Sequence, residues 1–267
     1  TISGSANAGY YSGLDNKVAG FTDEGIYSNA GIVATMSGTT DGGLTFSTSI
    51  DAEAGTEIDQ GDFEYDGVAS GSFALGNVSI SGAFGSLTFD AGDGSGGIDN
   101  LYDDDLQAAD VSYSTTLAGM SLTIAADAES ADDGLSIAAG YSTGAMAFTL
   151  ATSDSAAGTS ASLAVSYAVT DGITLTGKTD QAGGAESVQT VGVKTAMNGV
   201  SVSASSANDS TWDVDLGYTL SGIAITYGTD ETDGWDATAS YALGGGASFK
   251  AGMNNEDSAY AGLSFSF

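Results

Sequence analysis

The sequence predicts an all-β protein, a closed antiparallel transmembrane β-barrel of eighteen strands, with sixteen as the alternative count. Three observations carry this. Apolar and small polar residues alternate over short stretches from one end of the 267-residue chain to the other, the period of a strand with two different faces. The connections alternate between tight glycine turns and longer acidic loops. There is no 3.6-residue amphipathic period and no run of about 18 apolar residues that would make a membrane helix. The whole of 1–267 reads as one barrel domain.

In chain order, residues 1–13 alternate, with Ile2, Ala6, Ala8 and Tyr10 on one face and Ser3, Ser5, Asn7 and Tyr11 on the other. Residues 14–25 read as a loop, 26–37 as the second strand and 44–51 as the third. Residues 54–71 read as a long acidic loop, with Glu57, Asp59, Asp62, Glu64 and Asp66. Strands near 73–84 and 86–90 follow. The stretch 91–109 has no alternation, and long structureless loops inside a strand array are usually functional. With its flanks it holds Asp90, Asp93, Asp99, Asp103, Asp104, Asp105 and Asp110. It is expected to fold into the lumen as a constriction loop. Thirteen more strands lie near 111–117, 120–129, 134–142, 145–153, 160–169, 172–180, 187–197, 199–207, 211–219, 222–229, 234–242, 246–253 and 258–267.

The short connections include Gly85-Ser86, Ala118-Gly119, Thr143-Gly144, Asp171-Gly172, Asn198-Gly199 and Ser221-Gly222. Glycine supplies the positive φ that tight hairpin turns need. Tyr113, Tyr141, Tyr167, Tyr218 and Tyr241 each come shortly before such a turn, and Trp212 and Trp235 lie toward the opposite strand ends. Aromatic residues repeating at strand ends fit the two interfacial girdles of a membrane barrel. In a soluble sandwich they would be core. The second face is Ser, Thr and Gly with little Lys or Glu, which suits a wet interior lined by hydroxyls. A closed barrel also leaves no unpaired edge in lipid.

Composition excludes several functions. There is no cysteine, no histidine and no arginine, so disulfides, thiolate chemistry and histidine acid–base catalysis are absent. Thirty-five acids against four lysines give a net charge of −31, which disfavours nucleic acid and anionic surfaces. Such acids could be a solvated coat, but several fall on polar strand faces: Asp51, Glu53, Asp90, Asp127, Asp213, Asp215 and Asp236, with Lys178, Lys194 and Lys250. A pore lined by Asp90, Asp93, Asp99, Asp103, Asp104, Asp105, Lys178, Lys194, Asp213, Asp215, Asp236 and Lys250 would prefer cations. No cofactor is required. Ca²⁺ is the ion expected at Asp93, Asp99, Asp103, Asp104 and Asp105, hard oxygen donors on a glycine-rich loop.

The segments MSGTTDGGLTF (36–46), SISGAFGSLTFDAGD (79–93) and YALGGGASFKAG (241–252), with the ending LSFSF, resemble the general diffusion porins of alphaproteobacteria, the Rhodobacter-like type. The terminal phenylalanine resembles the assembly signal of Gram-negative outer-membrane proteins. The resemblance implies a homotrimeric outer-membrane channel among lipid and lipopolysaccharide, passing ions and small hydrophilic solutes, with Thr1 starting the mature chain after signal-peptide removal. It also implies that 91–109 form the eyelet and that 54–71 reach a neighbouring subunit. The sequence departs from that family in lacking arginine, in being short and in counting eighteen strands rather than sixteen. A different reading, a secreted calcium-binding β-solenoid or surface-layer protein, rests on GDGSGGIDN (92–100), which occurs once where solenoids need tandem copies. An enzyme using Asp213 and Asp215 is the remaining reading, but residues two apart on a strand simply share a face.

Overall fold

The computed structural model describes residues 1–14, 22–90, 98, 101, 109–127, 134–155 and 158–267. Nineteen strand segments follow in order: β1 Ile2–Ser12, β2 Glu24–Thr39, β3 Thr45–Asp59, β4 Glu64–Leu75, β5 Val78–Gly82, β6 Gly85–Phe89, β7 Val111–Leu117, β8 Met120–Ala126, β9 Leu135–Thr143, β10 Met146–Ser155, β11 Gly158–Thr170, β12 Ile173–Gln181, β13 Val188–Met197, β14 Val200–Ala207, β15 Trp212–Leu220, β16 Ile223–Asp230, β17 Trp235–Gly244, β18 Ala247–Asn254 and β19 Ala259–Ser266. Apart from β4 and β5, consecutive strands pair antiparallel, and β1 pairs with β19 from Ser5↔Ser266 to Ser12↔Ala259, which closes the sheet into a barrel.

The nineteen segments make eighteen staves. β4 and β5 both pair along the same edge of β3, Ile50↔Leu75 above and Thr45↔Ser81 below. Between them Gly76 N donates to Ser49 O at 2.8 Å. They are two lengths of one stave interrupted at Gly76-Asn77, so eighteen is the barrel count. Thr1 and Phe267 lie at the tight-turn end: Gly4 and Phe267 exchange backbone bonds of 2.9 and 3.0 Å, and Thr35 N donates to Thr1 O.

Three expectations need correction. Residues 54–71 are not a loop: β3 runs on to Asp59 and β4 begins at Glu64, so the segment is a long hairpin whose tip is residues 60–63. Backbone pairing continues because Glu57↔Gly67 and Asp59↔Glu64 keep a ladder that the acidic composition concealed. The turn expected at Thr143-Gly144 is Gly144-Ala145, with Gly144 at φ 56°, and the one expected at Gly85-Ser86 is Ala83-Phe84, because Gly82 already pairs with Gly85 at the start of β6.

The alternation sorts as expected. Ile32, Leu150, Leu163, Leu175, Leu216, Ile225 and Leu263 stand exposed on the outside, where lipid rather than water would meet them. Tyr141, Tyr167, Tyr218 and Tyr241 are exposed on the same face near the tight turns. At the looped end Tyr227 stacks on Trp235 with ring centroids 6.4 Å apart, and Trp212 is exposed beside them in sequence order. The inner face carries Ser, Thr and Gly, and hydroxyl pairs such as Ser114–Thr123 (3.0 Å) and Thr226–Thr238 (2.6 Å) cross neighbouring strands there.

Three tight turns are built alike. Ala118, Asn198 and Ser221 have φ 52–53° and each precedes a glycine with φ 81–85°. Two positive φ values in a two-residue loop are the type I′ hairpin. Asn tolerates this conformation and Ala does not. Ala118→Asn is therefore expected to stabilise the barrel by about 1 kcal/mol, read as a higher urea midpoint in detergent.

Candidate permeation pathway

Residues facing the lumen are placed by strand parity. On β12, Lys178 and Asp180 share the inner face two residues apart and form an ion pair of 3.0 Å. Lys194 on β13 lies opposite Thr174 of β12 and lines a cavity of about 320 Å³ with Asp215, Ser201 and Ser203. Lys250 sits midway along β18, opposite Gly262 and Ser240. All three lysines thus fall on the inner face.

The wall acids gather on β15 to β17. Asp215 pairs across to Gly228, and Gly228 to Asp236. A Cβ at Gly228 would meet Asp236 Oδ1 at 2.6 Å and Asp215 Oδ1 at 3.3 Å, so the two carboxylates lean together over a glycine on the strand between them. Asp213 is opposite Asp230 on β16 and interacts electrostatically with Asp215 and Asp236. On β3, Asp51 and Glu53 lie opposite Val33 and Gly31 and line a cavity of about 340 Å³ with Ser3, Ser5 and Ser266. Among the described residues no three acids converge closely enough to hold a metal ion.

The central loop is described at its ends and at two points. Asp90 N donates to Asp110 O at 2.8 Å and Asp110 N to Ala126 O at 3.0 Å, so its two ends are tied together beside β8. Ile98, Leu101 and Ala109 pack on Ala125, which lies on the inner face opposite Ser112 and Ser136. Leu101 N also approaches Ser136 Oγ at 3.4 Å. Asp93, Asp99, Asp103, Asp104 and Asp105, the expected Ca²⁺ ligands, lie outside the described residues.

Loop acids have a structural role that the sequence reading did not assign. Asp209 Oδ1 accepts from Thr211 N and Oγ1 at 3.1 and 2.7 Å, and these bonds hold its carboxyl below the usual carboxylate range, the Thr211 hydroxyl contributing most. Asp230 Oδ1 does the same for Thr232 and also accepts from Gly234 N. Asp-x-Thr after a strand is the signal for such Asx turns.

A second group was missed outright. Tyr11, Tyr27 and Tyr260 belong to the polar, inward face yet are almost fully buried. They crowd glycines: a Cβ at Gly25 would meet Tyr11, one at Gly262 would meet Tyr27 Oη at 2.2 Å, and one at Gly252 would meet the Tyr260 ring at 2.6 Å. Onto these rings packs the β3–β4 hairpin. Ile58, Phe63 and Tyr65 bury themselves against Tyr11, Leu14, Tyr27 and Tyr260, with Tyr11–Tyr65 centroids at 5.8 Å and Phe63–Tyr260 at 5.6 Å. Burial of a side chain such as Phe63 contributes about 1.5–3 kcal/mol. Its apolar residues are thus spent on the chain's own inner wall rather than presented to a neighbouring subunit. The signal in the sequence was three tyrosines on a face otherwise made of Ser, Thr and Gly.

The comparisons with known proteins agree with this geometry. The family profile described as Gram-negative porin matches residues 1–259. Among solved structures, a multiply substituted mutant of the Rh. blastica porin superposes with a TM-score of 0.60 at 15% identity, covering 100% of this chain and 99% of that one. A triple mutant of the Rhodopseudomonas blastica porin gives 0.58 at 14% identity with the same coverage. At such identities the likeness establishes the barrel fold alone. No curated protein sequence matches. A closed barrel of single antiparallel staves leaves no place for a β-solenoid, and the family is one of channels rather than enzymes. From the whole-length profile match and the eighteen-stave barrel with its apolar outside and hydroxyl-lined inside, the chain belongs to the Gram-negative porin family, an outer-membrane channel.

Proposed function

We propose that this porin passes ions and small hydrophilic solutes by passive diffusion, prefers cations, and works as a homotrimer set in outer-membrane lipid and lipopolysaccharide. The observation that carries the preference is the group of inward carboxylates Asp213 and Asp215 on β15 and Asp236 on β17, over the gap left by Gly228 on β16 between them. Acidic rings in a pore favour cations. Residues 91–109 are the constriction loop in this reading, supported by Ile98 and Leu101 against the inner wall. That arrangement would carry Asp93, Asp99, Asp103, Asp104 and Asp105 toward the ion path, where Ca²⁺ is the natural counter-ion for those that crowd together.

Planar-bilayer recording across a KCl gradient tests this. A reversal potential of cation-preferring sign is expected, and Asp103→Asn, Asp104→Asn and Asp105→Asn made together should weaken it. An anion-preferring pore would reject the assignment. The same records with and without a chelator report Ca²⁺: bound calcium would screen the loop, so its removal should increase cation preference.

A further inference from the structure

We infer that the β3–β4 hairpin is a second constricting arm, separate from the central loop, and that its tip residues Asp59 and Gln60, facing Lys250 of the barrel wall, help to set which solutes pass. The inference rests on the channel reading above and adds a residue set to it.

The arm begins where the hairpin leaves the wall. Gly55 has φ 115° and Gly67 φ 104°, conformations that residues with a Cβ rarely adopt. At Gly55 an added Cβ would also stand 2.2 Å from Ser28 O and 2.7 Å from Asn29 Cα. These two glycines flank the segment that turns inward. Beyond them Ile58, Phe63 and Tyr65 dock on Tyr11, Tyr27 and Tyr260. A hairpin standing out into water would expose all of these, so burial favours the inward position.

The tip is built as a turn. Asp59 Oδ1 accepts from Gly61 N at 2.6 Å and Asp62 N at 3.1 Å. Gln60 Nε2 reaches Tyr27 Oη at 3.4 Å. Asp59, Gln60 and Gly61 then close one side of a polar cavity of about 290 Å³ whose other side is Asn7, Asn29 and Lys250 of the wall. Asn7 donates to Asn29 at 3.0 Å, and Asn29 is 7% exposed. Lys250 lies midway along β18, in register with Gly262 of β19, which in turn pairs with Gly9 across the β1–β19 seam. The arm therefore descends from the looped end to about mid-height and narrows the side of the lumen walled by β18, β19, β1 and β2. A solute passing there meets an amine, a carboxylate and three carboxamides within one small space, a set that discriminates by charge and hydrogen bonding.

The chain has no cysteine, so a single thiol can be placed without background. In the full-length Gln60→Cys porin reconstituted in a planar bilayer, a negatively charged methanethiosulfonate reagent should cause a stepwise loss of current that a thiol reductant restores, while the parent porin is unaffected. Replacing residues 57–65 by a short Gly-Ser turn should raise both the current and the size limit for sugars in liposome swelling. Unchanged current after labelling confirmed complete by mass would overturn the inference, and so would an unchanged size limit in the shortened pore. If the shortened chain does not fold, judged by heat-modifiable gel mobility, the thiol measurement decides. A parent protein that carries no current at all would instead reject the channel reading.

Discussion

Gly262→Ala should destabilise the folded barrel by about 1–3 kcal/mol, the usual cost of forcing a methyl group into a filled space. Gly262 pairs with Gly9 across the β1–β19 seam that closes the sheet. Tyr27, on β2, lies across both glycines and is 1% exposed. The alanine Cβ would stand 2.2 Å from Tyr27 Oη and 2.6 Å from Ala8 O. The phenol oxygen can be removed and the carbonyl cannot, so Tyr27→Phe should recover part, not all, of the loss in the double variant. Gly177→Ala is the control. Its Cβ meets nothing within 4 Å, and a surface change of that kind should stay within about 0.5 kcal/mol. Urea midpoints in detergent micelles would read all four proteins. Equal midpoints for Gly262→Ala and Gly177→Ala would mean that the tyrosine platform does not brace the seam.

The reach of the sequence follows from what each signal depends on. Strand number and facing depend on a period of two, and a local period survives any tertiary arrangement. That is why Leu163, Val165 and Tyr167, alternating with Ser162, Ala164 and Ser166, identify both the strand and its lipid face. The stave made of β4 and β5 is only half legible, because its upper part sits in the acidic hairpin and Gly76-Asn77 breaks the alternation. The hairpin reads as loop because its composition hides its pairing: Glu57, Asp59 and Glu64 look solvent-bound, and nothing local reveals that Ile58 and Phe63 have partners some 200 residues away at Tyr260. Parity puts the lysines on the polar face, and the same rule, that i and i+2 share a face on every strand, puts Asp180 beside Lys178. Contacts between distant strands, such as Tyr27 over Gly262, are set by closure and leave only a faint trace, an aromatic where Ser or Thr is the rule.

Cation preference should be strong in dilute salt and should fade toward 1 M. The lysines do not cancel the acids, because each has an acid close by. Lys178 is paired with Asp180 at 3.0 Å, Lys194 shares a cavity with Asp215, and Lys250 shares one with Asp59. Asp51, Glu53, Asp213 and Asp236 are among the acids on the described wall that lie outside those three groupings. A unit charge about 8 Å from the ion path changes the ion's energy by about 0.5 kcal/mol in water before screening, roughly a twofold change in local concentration. Several acids at comparable depth compound this. Screening acts over about 10 Å at 0.1 M salt and about 3 Å at 1 M, so the wall is felt across a narrowed lumen only at the lower concentration. Asp213→Asn, Asp215→Asn and Asp236→Asn, made together, keep side-chain shape and remove three charges. At about 0.1 M KCl the potassium-to-chloride permeability ratio is expected to fall by at least about twofold, with little change at 1 M. Because Asp215 also offsets Lys194, the single variant Asp236→Asn should retain more cation preference than the triple. A ratio that ignores all three substitutions in dilute salt would show that this part of the wall lies away from the ion path.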